Sequence, residues 1–356
     1  MKELLRRADA FRRRNGLEMP ILLAPMAGAS APALSIAAAN AGGMGACGAL
    51  MMKPEEIHAW AGEVRANSNG NFQLNLWIPD PPPRRDADHE ARVRAFLARW
   101  GPEVTAEAGN ATPPDFADQC RALLDIKPPV VSSVMGLYPA GFVGELKRRG
   151  IQWFATVTTL AEARAAEAAG ADAVVAQGME AGGHRGSFEA QNAEARMVGL
   201  FSLLSAVAGA VRIPVLAAGG IADARGVVAA LALGASAALI GTGLLRCPEA
   251  KIPQAWAAAL ARTAPEDTLV TRAFSGRAGR GIATEYVRAA VTPDAPAPAP
   301  YPVQRGLTAA MRADAVRRND LRRMQAWAGQ SAALAQAIPA AELLRRIWTE
   351  ARAILE

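Results

Sequence analysis

Eight short aliphatic runs alternate with alanine-rich segments over the first two thirds of the chain, and this alternation restricts the fold more than any other feature. Runs of strand-forming residues separated by helix-forming segments predict β-α-β units, whose parallel strands are buried on both faces. The predicted strands are residues 21–24, 44–47, 72–76, 130–133, 153–157, 173–176, 214–217 and 237–240. Eight such units over roughly 245 residues are typical of a barrel, whereas an open sheet seldom needs so many parallel strands. The sequence therefore predicts an α/β fold, a (β/α)8 TIM barrel.

Two regions fall outside the eightfold pattern, residues 77–129 and residues 248–356. The first leaves the predicted barrel after its third strand, so it is expected to lie over the barrel mouth. The second contains an amphipathic segment from Leu307 onward that is expected to pack back on the barrel. We predict a barrel built from residues 1–76 and 130–247, with a smaller capping domain built from residues 77–129 and 248–356.

Composition narrows the classes of partner and compartment. The net charge of +6 is compatible with an anionic ligand, but only 5% of residues are aromatic and none form a stacking motif among the arginines, so no nucleic-acid partner is predicted. Residues 19–52 and 226–245 carry no charge, yet prolines and glycines divide them, which favours strand, turn and helix over a membrane span. Three widely spaced cysteines are typical of reduced thiols and of no metal site, and no secretory signal is evident, so a cytoplasmic protein is predicted.

Glycine-rich loops follow the seventh and eighth predicted strands. Gly219 and Gly220 follow the seventh, Gly241 and Thr242 follow the eighth, and a helix-forming run comes after each loop. Glycine lets backbone N–H groups approach an anion closely, and barrels usually bind phosphate after these two strands. The pair predicts a phosphate site, although either loop alone could serve only as a tight turn.

Three other predicted strands, the first, third and sixth, are followed or ended by groups that suit a planar ring. A backbone turn at Ala24, Pro25 and Met26 follows the first strand, Asn75 ends the third and Gln177 follows the sixth. An apolar wall with a few fixed amides is what a heteroaromatic ring needs. The alternatives are that Asn75 only forms a turn and that Gln177 only caps its strand.

His184 is the candidate catalytic residue. It lies in the run Gly182-Gly183-His184 shortly after the sixth strand, whereas His58 and His89 lie in charged helical segments. Imidazole titrates near neutral pH and can act as a base or, when charged, can bind an anion. The alternative is a histidine that only anchors its own loop. Its neighbour Arg185 could pair with Glu180 or Glu189, and Tyr301 could line the pocket or form a surface corner.

This combination of motifs resembles the flavin-dependent nitronate monooxygenases, and the likeness covers residues 19–287. It is most specific at residues 20–28, 178–188 and 217–221 and continues weakly through residues 271–277. The resemblance implies FMN as the cofactor and His184 as the base or the group that orients the anion. It implies that Ala24, Pro25 and Met26 lie along the flavin ring and that Asn75 and Gln177 form hydrogen bonds to it. The residues implied to bind the ribityl phosphate end are Gly182, Gly219, Gly220, Gly241 and Thr242.

The reaction implied by this resemblance is oxidation of an alkyl nitronate, such as propionate 3-nitronate, by dioxygen. It would pass through a flavin semiquinone and give a carbonyl compound and nitrite, with FMN supplying the redox chemistry. The implied partners are therefore a small nitronate and dioxygen, with no membrane partner, in a monomer or homodimer.

Two other functions stay open at the level of sequence. An FMN- and NADH-dependent enoyl-acyl-carrier-protein reductase shares the barrel, the cofactor and the Glu-Ala-Gly-Gly-His run, but such enzymes tend to have an aliphatic residue where this chain has Arg185. A flavin-binding barrel without turnover is the second alternative, because a fold by itself does not imply catalysis. Only the reductase must consume NADH.

Overall fold

Parallel strands form a closed ring at the centre of the molecule, whose computed structural model describes residues 2–29 and 31–356. In chain order the strands are β1 (Ile21–Leu23), β2 (Gly45–Gly48), β3 (Phe72–Trp77), β4 (Val130–Val134), β5 (Gln152–Val157), β6 (Ala173–Gln177), β7 (Gly183–His184), β8 (Val215–Ala218), β9 (Ala237–Ile240), β10 (Thr268–Thr271) and β11 (Gly279–Ile282). Eight of them make one sheet in the order β1-β9-β8-β6-β5-β4-β3-β2. A parallel bridge between Leu22 and Met44 joins the two ends of this order. The predicted TIM barrel is confirmed.

Helices cover the outside of the ring and build the remaining parts of the chain. They are α1 (Lys2–Arg14), α2 (Pro32–Asn40), α3 (Pro54–Asn67), α4 (Ala87–Leu97), α5 (Phe116–Ile126), α6 (Ala140–Arg148), α7 (Leu160–Ala168), α8 (Leu200–Ala208), α9 (Ala224–Ala232), α10 (Gln254–Leu260), α11 (Glu285–Ala290), α12 (Val303–Leu307), α13 (Ala309–Arg317) and α14 (Ala340–Leu355). Side-chain caps begin several of them. At α9, for example, the carboxylate of Asp223 accepts the backbone N–H of Gly226 at 2.9 Å, which satisfies a donor that the first turn leaves free.

Large apolar side chains fill the inside of the ring. Phe154, Val175 and Leu216 belong to one buried cluster there, and Phe154 lies 6.0 Å from the ring of Phe11. A second and larger cluster lies between the strands and the outer helices. Because both faces of each strand are covered, the sequence of each strand is a continuous apolar run. The positions of the strands were therefore predictable.

The segments outside the eightfold pattern form a second buried cluster and a small sheet. Residues of α4, α11 and α12 pack together there, and β7 pairs with β11, which pairs with β10. Within the same segments, α5 packs on α3 and α6, and α14 packs on α2 and α9. We therefore propose that α5 and α14 belong to the barrel. The capping domain predicted for residues 77–129 and 248–356 would then exclude these two helices.

Both uncharged stretches that resembled membrane spans are divided in the structure. Residues 19–52 contain β1, α2 and β2, while residues 226–245 contain most of α9 and all of β9. Among the helices of residues 2–29 and 31–356, none combines the length and the apolar character that crossing a membrane requires.

Replacing Phe154 by alanine should lower the free energy of unfolding by about 3 to 5 kcal/mol, because the substitution leaves a cavity inside the ring. Urea unfolding followed by circular dichroism measures this change. The matched control is Phe201→Ala on α8, whose side chain is 70% exposed; equal destabilisation by the two variants would contradict the assignment of Phe154 to the core.

Candidate active site

A cavity of about 1150 Å³ lies at the carboxyl ends of the barrel strands. All eleven residues that the sequence analysis selected line it, namely Ala24, Pro25, Met26, Asn75, Gln177, Gly182, His184, Gly219, Gly220, Gly241 and Thr242. Ligand pockets for small molecules usually measure about 300 to 1,000 Å³. The cavity therefore has room for a nucleotide-sized group together with a small substrate.

His184 is half-buried on the wall of this cavity, in a cage of three side chains. Its ring centroid lies 4.8 Å from that of Trp77 and 5.0 Å from that of Trp327. Its Nε2 atom lies 2.7 Å from the hydroxyl oxygen of Ser275. None of these three neighbours was predicted from the sequence to have a role, although Ser275 lies in a stretch that carried part of the resemblance.

The bonds of Ser275 determine which nitrogen of His184 carries the proton. The hydroxyl of Ser275 also donates to the backbone carbonyl of Arg277 at 3.2 Å. A hydroxyl has only one proton to donate, so whenever that proton goes to the Arg277 carbonyl, Nε2 of His184 is the donor in its own contact with Ser275. Nδ1 is then unprotonated and is the atom that can accept a proton.

The side-chain amide of Gln177 binds both sides of the histidine loop. Its nitrogen donates to the carbonyl of His184 at 3.0 Å, and its oxygen accepts the N–H of Gly186 at 2.7 Å. One amide hydrogen of Gln177 remains for a ligand. The second predicted amide, Asn75 on β3, donates to the hydroxyl of Ser132 at 3.0 Å, which fixes the orientation of its side chain.

The two glycine loops form a cradle of free donors. Gly219 and Gly220 have φ values of 110° and 71°, which glycine adopts without strain. Within the described residues, the backbone N–H groups of Gly219, Gly220 and Thr242 have no acceptor. The hydroxyl oxygen of Thr242 accepts the N–H of Gly329 at 3.0 Å, so its own proton can be donated elsewhere. Such a set of donors fits a phosphate group.

Residues 327–331 close over these loops from the C-terminal part of the chain. Gln330 donates its N–H to the carbonyl of Glu180 at 2.9 Å, and Ser331 donates its hydroxyl to the carbonyl of Gly220 at 2.6 Å. A Cβ atom on residue 182 would lie 2.5 Å from the nitrogen of Gly329. Glycine at position 182 is therefore required by this close approach.

Positive charge surrounds His184. Burial, together with the guanidinium groups of Arg305, Arg277 and Arg312, lowers the pKa of its imidazole to about 3, and burial is the largest cause. Arg277 pairs through two of its nitrogens with the carboxylate of Asp80. The imidazole is thus neutral at pH 7 in the protein without a ligand.

Arg185 and Tyr301 both contact residues that line the cavity. Arg185 donates to the backbone carbonyl of Gln177 and, within the described chain, forms no ion pair with Glu180 or Glu189. Glu180 instead accepts the N–H of Leu200 at the start of α8 at 2.9 Å. Tyr301 is 8% exposed and stacks on Trp77 with 4.9 Å between ring centroids, so it supports the cavity wall and is not a surface corner.

The nuclear magnetic resonance signal of the His184 ring should keep the chemical shift of the neutral form from pH 8 down to about pH 4, because burial opposes its protonation. The signal is identified by its loss in His184→Asn. The unfolded chain takes up a proton at an ordinary pKa of about 6.5, so this residue makes unfolding easier as the pH falls from about 6.5 towards 3. Protonation of His184 near pH 6.5 in the folded protein would contradict the assignment.

Comparisons with known proteins agree with this architecture. The family model described as nitronate monooxygenase matches residues 13–350. A nitronate monooxygenase of Paraburkholderia phytofirmans is 39% identical over 347 residues, which cover 96% of this chain and 94% of that protein. The structure of nitroalkane oxidase from Streptomyces ansochromogenes has a TM-score of 0.87 and 35% identity, and covers 98% of this chain and 100% of that chain.

A more distant structure also matches, that of FabK from Thermotoga maritima, with a TM-score of 0.76, 29% identity and coverage of 97% of this chain and 96% of that chain. The family match and the curated relative both extend over nearly the whole chain. The resemblance stated from the sequence is therefore confirmed. The chain belongs to the nitronate monooxygenase family and is an oxidoreductase of that type.

Proposed function

We propose that the protein catalyses the FMN-dependent oxidation of alkyl nitronates, such as propionate 3-nitronate, by dioxygen to a carbonyl compound and nitrite. The observation that carries this proposal is that a half-buried, neutral histidine and a cradle of free backbone donors line the same cavity. The first suits proton transfer or orientation of a small substrate. The second suits the phosphate of a flavin nucleotide.

FMN would be held at two ends of the cavity. The phosphate would accept the N–H groups of Gly219, Gly220 and Thr242 and the hydroxyl proton of Thr242. Gly182 and Gly241 would allow the backbone to approach the same ribityl phosphate end closely. The ring would lie along Ala24, Pro25 and Met26, near the amides of Asn75 and Gln177. When bound, FMN supplies the electron transfer from the nitronate and to dioxygen, which no side chain of this cavity can perform.

His184 would act on the substrate through Nδ1. With Nε2 bonded to Ser275, the neutral ring presents a lone pair that can take a carbon-bound proton from a neutral nitroalkane. A nitronate has already lost that proton. An anion close to the ring favours the imidazolium form, so a bound nitronate would raise the pKa of His184 and be oriented by it.

Trp77 and Trp327 would determine the direction of the His184 ring and keep water from it. Both indoles lie within 5.0 Å of the imidazole, measured between ring centroids, and Trp77 is 7% exposed. A dry wall strengthens each electrostatic interaction in the site.

The purified protein should release nitrite from propionate 3-nitronate in air without NADH. Replacing His184 by alanine should reduce kcat/KM at least about tenfold, because a positioned acid or base typically contributes about 100-fold or more. A colorimetric nitrite assay with bound FMN measured in parallel tests this. Ser205→Ala, an exposed hydroxyl on α8 that bonds only to its own helix, is the control.

The same assay separates the alternatives. NADH consumption with an enoyl thioester and no nitrite would favour the enoyl-acyl-carrier-protein reductase. FMN binding without turnover of either substrate would favour the non-catalytic flavin-binding barrel. A monomeric or homodimeric state and a cytoplasmic location stay predictions from the sequence.

Binding affinities for FMN and riboflavin test the phosphate cradle without any turnover. Thr242→Val should weaken FMN binding about tenfold, because a hydrogen bond to a charged group contributes about 1.5 to 3 kcal/mol. Riboflavin lacks the phosphate, so the same substitution should weaken its binding much less. Flavin fluorescence titration measures both dissociation constants. Thr263→Val serves as the control, since Thr263 bonds only within the end of α10; equal losses for both flavins would contradict the placement of the phosphate.

A further inference from the structure

Two arginines from the C-terminal part of the chain line the cavity without a negative partner. Arg305 lies on α12 and Arg312 on α13, and both side chains are half-buried. Neither guanidinium has a carboxylate within ion-pair distance in the part of the chain that the structure describes. Other arginines nearby are compensated: Arg317 and Arg318 both pair with Asp314.

Arg312 is held in place by neutral acceptors. It donates from Nε to the hydroxyl of Thr308 at 3.1 Å, from Nη1 to the amide oxygen of Gln325 at 3.3 Å, and from Nη2 to the carbonyl of Arg305 at 2.9 Å. These bonds orient the group and leave its charge uncompensated. The guanidinium of Arg305 has no hydrogen-bond partner among the described residues, so all of its donors remain available.

The position of the two charges relative to His184 indicates which ligand they face. Arg305 lies four residues after Tyr301, which stacks on Trp77, and Trp77 contacts the His184 ring. Arg312 donates to Gln325, two residues before Trp327, and Trp327 also contacts that ring. Thr242 and the glycine loops supply separate donors for a phosphate. The arginine pair therefore lies near the reacting end of the cavity, where an unpaired charge taken out of water is costly until an anion arrives.

We propose that Arg305 and Arg312 form a subsite for a carboxylate at the far end of the nitronate substrate. This inference rests on the proposed function and adds to it the two residues that select among nitronates. A planar carboxylate matches the fork of guanidinium donors and forms short, charge-assisted hydrogen bonds. Nitronates that carry a terminal carboxylate are then preferred over nitronates with a neutral alkyl tail.

Succinate and butyrate test the subsite without turnover. A carboxylate and a nitronate are both planar anions with two terminal oxygens, so succinate imitates a nitronate that carries a carboxylate, while butyrate lacks the second charge. Titration of the FMN-loaded protein, followed by the change in flavin absorbance, should give tighter binding of succinate. Arg305→Gln and Arg312→Gln should each weaken succinate binding about ten- to hundredfold, and butyrate binding much less.

Kinetics give a second measurement. The ratio of kcat/KM for propionate 3-nitronate to that for propyl-2-nitronate should fall at least about tenfold in each arginine variant. Arg318→Gln is the matched control, because that side chain is 68% exposed and pairs with Asp314 outside the cavity lining. Bound FMN and the unfolding temperature are measured for every variant.

Three outcomes separate this inference from the function on which it rests. Equal affinity of the wild-type protein for succinate and butyrate would overturn the subsite. Equal losses for both ligands in the arginine variants would also overturn it, because the arginines would then act on the anion common to both. Preferential succinate binding without nitrite release from either nitronate would support the subsite and refute the proposed function.

Discussion

The side-chain amide of Gln177 joins the histidine loop to the barrel, and the geometry of the cavity depends on that connection. Its two ends bond the carbonyl of His184 and the N–H of Gly186, so the loop cannot move without breaking both bonds. Gln177 is the last residue of β6, a strand buried in the ring. The rigidity of the parallel sheet is thereby transmitted to the loop, which is also held by the pairing of β7 and by the contact between His184 and Ser275.

The cavity is electrostatically specialised as well as rigid. Burial keeps the His184 ring neutral, while two half-buried arginines retain positive charge without carboxylate partners among the described residues. These features reinforce each other, since positive charge near the ring disfavours its protonation. An anionic ligand relieves both effects at once, because it compensates the arginines and raises the pKa of the imidazole. The cavity is thus suited to small anions next to a bound nucleotide.

The positions of the strands and of the predicted site residues were accessible from sequence for a physical reason. The carboxyl ends of all strands in a parallel barrel meet at one mouth, so residues that follow different strands share a cavity whatever their distance along the chain. Asn75 in the carboxyl-terminal half of β3 and Thr242 after β9 are examples. Ser275 was missed as a partner of His184 because it lies 91 residues away, in a segment outside the eightfold repeat. Trp327 was missed for the same reason.

Sequence alone determined the ring of eight strands, the glycine loops after β8 and β9 and the position of His184 in a glycine-flanked loop after β6, because each of these follows from local composition and period. Tertiary structure decided the rest. It assigned the amide of Gln177 to the histidine loop, placed the hydroxyl of Ser275 beside Nε2 of His184 and left Arg305 and Arg312 without carboxylate partners among the described residues. Those properties depend on burial and on partners distant in the chain, which local patterns do not encode.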